Sequence, residues 1–263
     1  MGLFSFFKKE KKTESINNST SILGMILLEE NDTFKVDEFI KELENKWKLK
    51  IKSKETGNEA TVLEIDDYNT AVAVIPAKIP NEEVEKAAEY NYFWKNAVTE
   101  TEKHKGHIIL SIMNAGKNPI KENLLYSKLA SAVMNNSKSM GIYIGGRSLV
   151  LKKDFYQDNV ENMTEQDLPL HNWIYFGLRN ENGKNSIYTY GLADFGKKEM
   201  EIINSKNSLQ ELNEMMFNLS HYVLAYNVNL KNGETIGLSE EQKLKITESQ
   251  GKYLEGKTLK IDF

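Results

Sequence analysis

The chain has 263 residues, a formal net charge of −4, and 40% hydrophobic against 27% charged residues. This balance belongs to a globular protein of one large domain or two small ones, and it offers no basic face for nucleic acid. Cysteine is absent, which excludes disulfides, thiolate zinc sites and cysteine nucleophiles, and no apolar run approaches the ~20 residues a membrane-spanning helix needs.

The opening stretch Met1-Gly2-Leu3-Phe4-Ser5-Phe6-Phe7 is apolar, and Lys8-Lys9-Glu10-Lys11-Lys12 follows as a basic run. A secretory signal has the opposite order, so export is not expected and the chain reads as cytoplasmic. Phe6 stands where a myristoylation pattern wants Ser or Thr. Residues 1–12 read either as an amphipathic peptide that touches a membrane or partner, or as a leader that docks its phenylalanines on the domain. Residues 1–20 together form leader and linker.

Ile22 to Leu28 is continuously apolar, as a strand buried on both faces is. A helix follows with Val36, Phe39, Ile40, Leu43 and Trp47 on one side. Leu49 to Lys52 alternates like a half-exposed strand. Thr61–Ile65 and Thr70–Ile75 are two more strands joined by Asp66-Asp67-Tyr68-Asn69. Asn81 is expected to cap a long helix with Val84, Ala87, Ala88, Asn91, Trp94 and Val98 along one face, closed by Lys103-His104-Lys105-Gly106. His107 to Met113 is strand-like, and Asn118-Pro119 opens a helix carrying Leu125, Leu129, Ala132 and Val133. Gly141 to Ile144 is a short strand, Asp154 to Met163 a helix, and Pro169 ends the first half.

The second half is expected to open with a hairpin. Trp173 to Leu178 and Ser186 to Leu192 are its strands, and Asn182-Gly183 supplies the positive-φ positions of a tight turn. Ser208 and Glu211 have capping-box spacing. Leu209, Leu212, Met216, Leu219, Val223 and Tyr226 then mark one face of a long helix laid across the hairpin. Ser239 and Gln242 suggest a second capping box over one helical turn. Leu244–Ile246 and Leu259–Phe263 suggest a terminal hairpin with lysines on its wet face. The expected fold is α+β, a mixed and largely antiparallel sheet with amphipathic helices packed on it. Its expected units are residues 1–20, 21–168 and 169–263, the last two either separate halves or one continuous domain.

Four stretches carry a family likeness: the Met1–Lys9 opening, Asn91-Tyr92-Phe93-Trp94 with His104 to Ile109, Tyr188 to Glu199, and Gly233 to Ser239. In them the chain resembles a family of uncharacterised bacterial cytosolic proteins that share a C-terminal domain of unknown function, most strongly from about residue 168 onward. The resemblance implies no catalytic residues. Similar families often stand beside interbacterial toxins as immunity proteins, so it implies an immunity or accessory protein that binds another protein, a toxin among the candidates.

Several constellations have the residue types of a site. His104 and His107 are three apart and could share a metal if a helix ran through both, but Gly106 breaks it and a third ligand is missing, so no metal is expected. His221 on the long helix could act as a general base. Gly145-Gly146-Arg147-Ser148 could cradle an anion or be a plain turn. Glu29-Glu30 and Asp66-Asp67 would do acid–base work only if they met in space. Tyr90, Tyr92, Phe93 and Trp94 cannot all face one side of a helix, so some are expected at a partner contact, where aromatics concentrate. The leading expectation is therefore a non-enzymatic protein that binds another protein or a second copy of itself. It would use Tyr90, Tyr92, Phe93 and Trp94 and need no cofactor. The alternative is a hydrolase with a diffuse site of carboxylates, His107, His221 and Arg147.

Overall fold

The computed structural model describes residues 20–57, 60–237, 239 and 241–263. The leader over residues 1–12, and any membrane contact it makes, lies outside these described residues. So do Leu238 and Glu240 within the stretch where a second capping box is expected.

The unbroken apolar run Ile22–Leu28 sits where such a run must, in the middle of a sheet. Seven strands build that sheet: β1 (Thr20–Leu28), β2 (Ile51–Thr56), β3 (Ala60–Ile65), β4 (Tyr68–Ile75), β5 (Gly106–Ala115), β6 (Ser139–Ile144) and β7 (Leu149–Lys152). Their order is β2-β3-β4-β5-β1-β6-β7, and every neighbouring pair is antiparallel. Successive residues of a strand point to opposite faces, and two cores result. Ile26, Leu28, Ile142, Ile144, Leu149 and Leu151 face one side, against α1 (Val36–Asn45), α4 (Pro119–Asn135) and α5 (Lys153–Glu161). Leu27, Tyr143 and Val150 face the other, against α2 (Glu83–Ala88) and α3 (Ala97–Thr101).

The short helix α6 (Leu170–Trp173) leads into a second sheet. It contains β8 (Tyr175–Glu181), β9 (Lys184–Tyr190), β10 (Met200–Ser205), β11 (Thr235–Ile236), β12 (Leu244–Gln250) and β13 (Lys257–Ile261), in the order β11-β12-β13-β10-β9-β8. Only β10 and β13 run parallel; the other pairs are antiparallel. Both sheets are thus mainly antiparallel and carry amphipathic helices, and the chain is α+β. The helix α7 (Leu209–Ala225) lies across β8 and β9. Ser208 accepts from the Glu211 amide while the Glu211 carboxylate accepts from the Ser208 amide, a complete capping box. Leu212, Met216, Leu219 and Val223 of α7 are buried in the second core.

The helix α4 belongs to both cores. Leu125, Leu129 and Val133 pack in the first, while Ile120 and Leu124 pack against the second. Trp173 Nε1 donates to Ser127 Oγ at 2.9 Å, fastening α6 to α4. A helix buried on several sides has no wet face to show in its pattern.

Four expectations need correction. The long helix from Asn81 does not form. Asn81 and Glu82 take left-handed conformations (φ 62° and 56°), and α2 starts at Glu83 and ends at Ala88. Asn91 Oδ1 then accepts from the amides of Phe93 and Trp94, both at 2.9 Å, and its Nδ2 donates to the Val150 carbonyl of β7. An asparagine that turns the backbone this way competes with helix, and here it also covers a sheet edge. Trp173 lies in α6 rather than in the hairpin. Tyr226 follows the last turn of α7 and is 73% exposed, off the packed face. The terminal hairpin β12–β13 exists, but β13 is interior to the sheet, and Lys260 pairs with the buried Glu201 instead of facing water.

Candidate functional site

The hairpin β8–β9 has two unlike faces. Asn182 and Gly183 at its tip are both at positive φ, 52° and 73°, which matches the right-handed twist of the strands. In its register Tyr175 faces Tyr190, Gly177 faces Tyr188, and Arg179 faces Ser186. The intervening Phe176, Leu178 and Ile187 turn to α7 and the second core. Tyr175, Arg179, Tyr188 and Tyr190 therefore share the opposite face, and they line a cleft of about 560 Å³. The far wall comes from the first sheet and its covering segment, with Glu83, Lys86, Tyr90, Tyr143 and Ser148.

Five tyrosines surround one arginine in this cleft. The Arg179 guanidinium lies over the rings of Tyr90 and Tyr188, 5.2 and 5.7 Å from their centroids. Its Nη2 donates to the Tyr188 hydroxyl at 3.3 Å, and the Tyr175 hydroxyl donates to the Tyr90 carbonyl at 3.3 Å. The Tyr188 ring can lie flat because residue 177 is glycine: a Cβ there would meet Tyr188 Cζ at 2.1 Å. On its outer side Tyr188 stacks on Tyr253, with centroids 5.5 Å apart. Burial pushes the Tyr175 hydroxyl up to about 12 and raises those of Tyr188 and Tyr143, so all three remain neutral donors at ordinary pH. Tyr90 is 57% and Tyr190 37% exposed, so the cleft offers accessible aromatic surface.

Beside the cleft runs a chain of rings at the junction of the two sheets. Phe93 stacks on Phe155 with centroids 4.6 Å apart, meets His171 at 4.8 Å, and touches Tyr92 at 4.3 Å. His171 also packs on Phe217 at 4.8 Å and Phe176 at 5.5 Å. Burial holds its imidazole down to about 4, and its Nδ1 is enclosed with no partner among the described residues.

The aromatic cluster expected to act together is divided. Tyr90 lines the cleft, Tyr92 and Phe93 line a narrower crevice that shares Ala87, Ser148 and Tyr175 with it, and both are 39% exposed. Trp94 is buried in the α2–α3 core, and its indole N–H donates to Glu100 at 2.8 Å.

His107, His221 and Arg147 are not brought together. His107 sits on β5, where its Nδ1 donates to the Ala77 carbonyl at 2.8 Å; burial lowers its pKa, against the hydrogen bond to Ala77 and with help from His104. His104 accepts from the Ile79 amide at Nε2 and donates from Nδ1 to the Thr101 carbonyl, so both histidines fasten the segment that leaves β4. His221 on α7 lies by the Leu168 amide and the Phe217 ring. Arg147 is buried, bonded to Asp194 at 2.7 Å and Asn123 at 2.8 Å and packed on Phe195, so the glycine turn before it ties the two sheets together. The acidic pairs also stay apart. Glu30 at one end of the first sheet pairs with Lys138, and Asp67 at the other end pairs with Lys52. Among the described residues no group of three histidines and carboxylates is placed to hold a metal.

Sequence reasoning missed Tyr143, Tyr175, Arg179, Tyr188 and Tyr190. The signal was present as a two-residue period, with Tyr188 and Tyr190 alternating with Ile187 and Thr189, and Tyr175 and Arg179 with Phe176 and Leu178. Nothing in sequence said that the aromatic face would meet the first sheet.

Among the described residues no helix is long and apolar enough to cross a membrane. Comparison with curated proteins and with solved structures found no match. A family model described as a domain of unknown function (DUF4261) matches residues 188–262, from the aromatic strand β9 through β13, and the chain carries this domain at its C-terminus.

Proposed function

We propose that this is a cytoplasmic, non-enzymatic protein whose task is to bind another protein, and that the cleft between the hairpin β8–β9 and the Glu83–Tyr90 segment is the contact. The supporting observation is the composition and exposure of that cleft. Tyrosine and arginine are the residues that most often carry binding energy at protein interfaces, because they combine large area with polar tips. Here Tyr90, Tyr175, Arg179, Tyr188 and Tyr190 stand around one concave surface, and the first four hold one another by ring and hydrogen-bond contacts. Such an arrangement loses little side-chain freedom on binding. An immunity or accessory role is the finer form of this reading, with a toxin as the partner in the first case.

The test is site-specific photo-cross-linking in the native cell with benzoylphenylalanine placed at position 190. A defined partner band is expected, weakened at least about tenfold by Tyr90→Ala, the loss that follows from truncating an interface anchor worth ~1.4 kcal/mol or more. A band of two copies of this chain would identify self-association as the interaction. A cross-linking pattern unchanged by Tyr90→Ala would remove the cleft from the contact.

A further inference from the structure

No carboxylate among the described residues lies within ion-pairing distance of Arg179, although its charge helps Lys252 to lower the pKa of Glu181. The polar bonds of Arg179 are the long contacts to the Tyr188 hydroxyl at 3.3 Å and the Leu178 carbonyl at 3.5 Å. Glu181, the acid nearest along its own strand, is taken by Lys252 at 2.9 Å. The guanidinium is half-buried beside two tyrosine rings, and among the described residues most of its N–H donors have no acceptor. The cleft as a whole is lined by two cations, Lys86 and Arg179, and one acid, Glu83, in a chain whose net charge is −4. Lys86 pairs with Glu82 at 3.8 Å, which leaves Arg179 as the cation of the cleft without an acidic partner among the described residues.

We propose that the cleft reads a carboxylate on an acidic segment of the partner protein, and that Arg179 is the residue that reads it. This rests on the protein-binding reading of the cleft and names the chemistry of the partner. A guanidinium presents parallel N–H donors that match the two oxygens of a carboxylate, and a fork already packed beside two rings gives up less freedom in making that pair. The tyrosine rings would cover the segment on either side of the acid. Their hydroxyls stay neutral and do not repel an anion.

The probe is the capped tripeptide acetyl-Gly-Asp-Gly-amide, titrated into the full-length, nitrogen-15-labelled protein, with acetyl-Gly-Asn-Gly-amide as its uncharged counterpart. The aspartate peptide should shift the amide resonances of Tyr175, Gly177, Tyr188 and Tyr190, and the asparagine peptide should not. Arg179→Lys keeps the charge but loses the fork and should weaken binding about tenfold. Arg179→Gln should abolish it, and its unchanged spectrum elsewhere would show that the hairpin is intact. Equal shifts from the two peptides, or wild-type binding by Arg179→Gln, would overturn the proposal. Displacement of the peptide by inorganic phosphate at much lower concentration than by acetate would also overturn it, in favour of a phosphate reader. A partner cross-linked at position 190 whose capture the aspartate peptide does not reduce would leave protein binding standing and remove only the carboxylate.

Discussion

Arg147 Nε donates to Asp194 Oδ2 at 2.7 Å, joining the corner between β6 and β7 to the corner after β9. The arginine side chain is 5% exposed and the aspartate 53%, so the two ends of this pair are unequal. Removing Arg147 also strips Asn123 Oδ1 of its donor inside the protein. Arg147→Ala should therefore cost about 3 kcal/mol, the low end for breaking a buried pair, and Asp194→Asn only about 1 kcal/mol. Urea denaturation of both variants measures this, and a larger loss for Asp194→Asn would contradict the asymmetry.

Gly177 holds the cleft in shape by being empty. Gly177→Ala should force the Tyr188 ring off the hairpin, at about 1–3 kcal/mol of overpacking. In a Tyr188→Ala background the same change should cost under ~0.5 kcal/mol, because the clash has gone. Comparable losses in the two backgrounds would show that Gly177 is needed for a reason unrelated to Tyr188.

Leu212 and Leu219 are 0% and 1% exposed on the packed face of α7. Truncation of either to alanine should lower stability by roughly 2–5 kcal/mol, as at other buried leucines. Equilibrium unfolding with a loss below ~0.5 kcal/mol would mean that α7 is not a core helix.

Two glutamates on β10 and just before it should respond to pH with opposite sign. Glu201 has no exposed side-chain surface. Burial acts to raise its pKa, but the bonds from Lys260, Thr258 and the Tyr253 and Lys252 amides together hold it below its ordinary value of 4.5. Its stabilisation is therefore present above that value and is lost as pH falls through the folded pKa. Glu199 is raised by burial, against its bonds from Thr189, Ala193 and Gly191. The folded state then holds its proton more tightly than the unfolded one, and stability declines as pH rises through the raised pKa. Stability curves from pH 3 to 7, with Glu201→Gln and Glu199→Gln each subtracted from wild type, should slope in opposite directions. Parallel slopes would mean that one of the two environments is misjudged.

Features closed over a few residues were legible in the sequence. Ser208 with Glu211, Asn118 before Pro119, and Asn182-Gly183 do what their spacing predicts, because each satisfies its own backbone locally. Asn81 misled for the same reason in reverse. It has the chemistry of a cap, but it sits left-handed in the turn after Pro80, while Asn91 and the Val150 carbonyl, 59 residues apart, decide where the chain breaks. Trp94 looked like contact surface, and only the third-dimensional pairing of α2 and α3 with β6 and β7 buries it. The cleft was least legible of all. Its walls come from Tyr90, Tyr143, Tyr175 and Tyr188, and no local pattern says that these meet.

The matched domain, residues 188–262, opens in the middle of β9. Cut there, the chain would keep Tyr188 and Tyr190 but lose Ile187, the whole of β8, and the Ile120 and Leu124 side chains that α4 lends to the second core. The matched block is thus not a portable module. A recombinant fragment of it would present a torn sheet and a bare apolar wall, and would go to inclusion bodies where the whole chain folds.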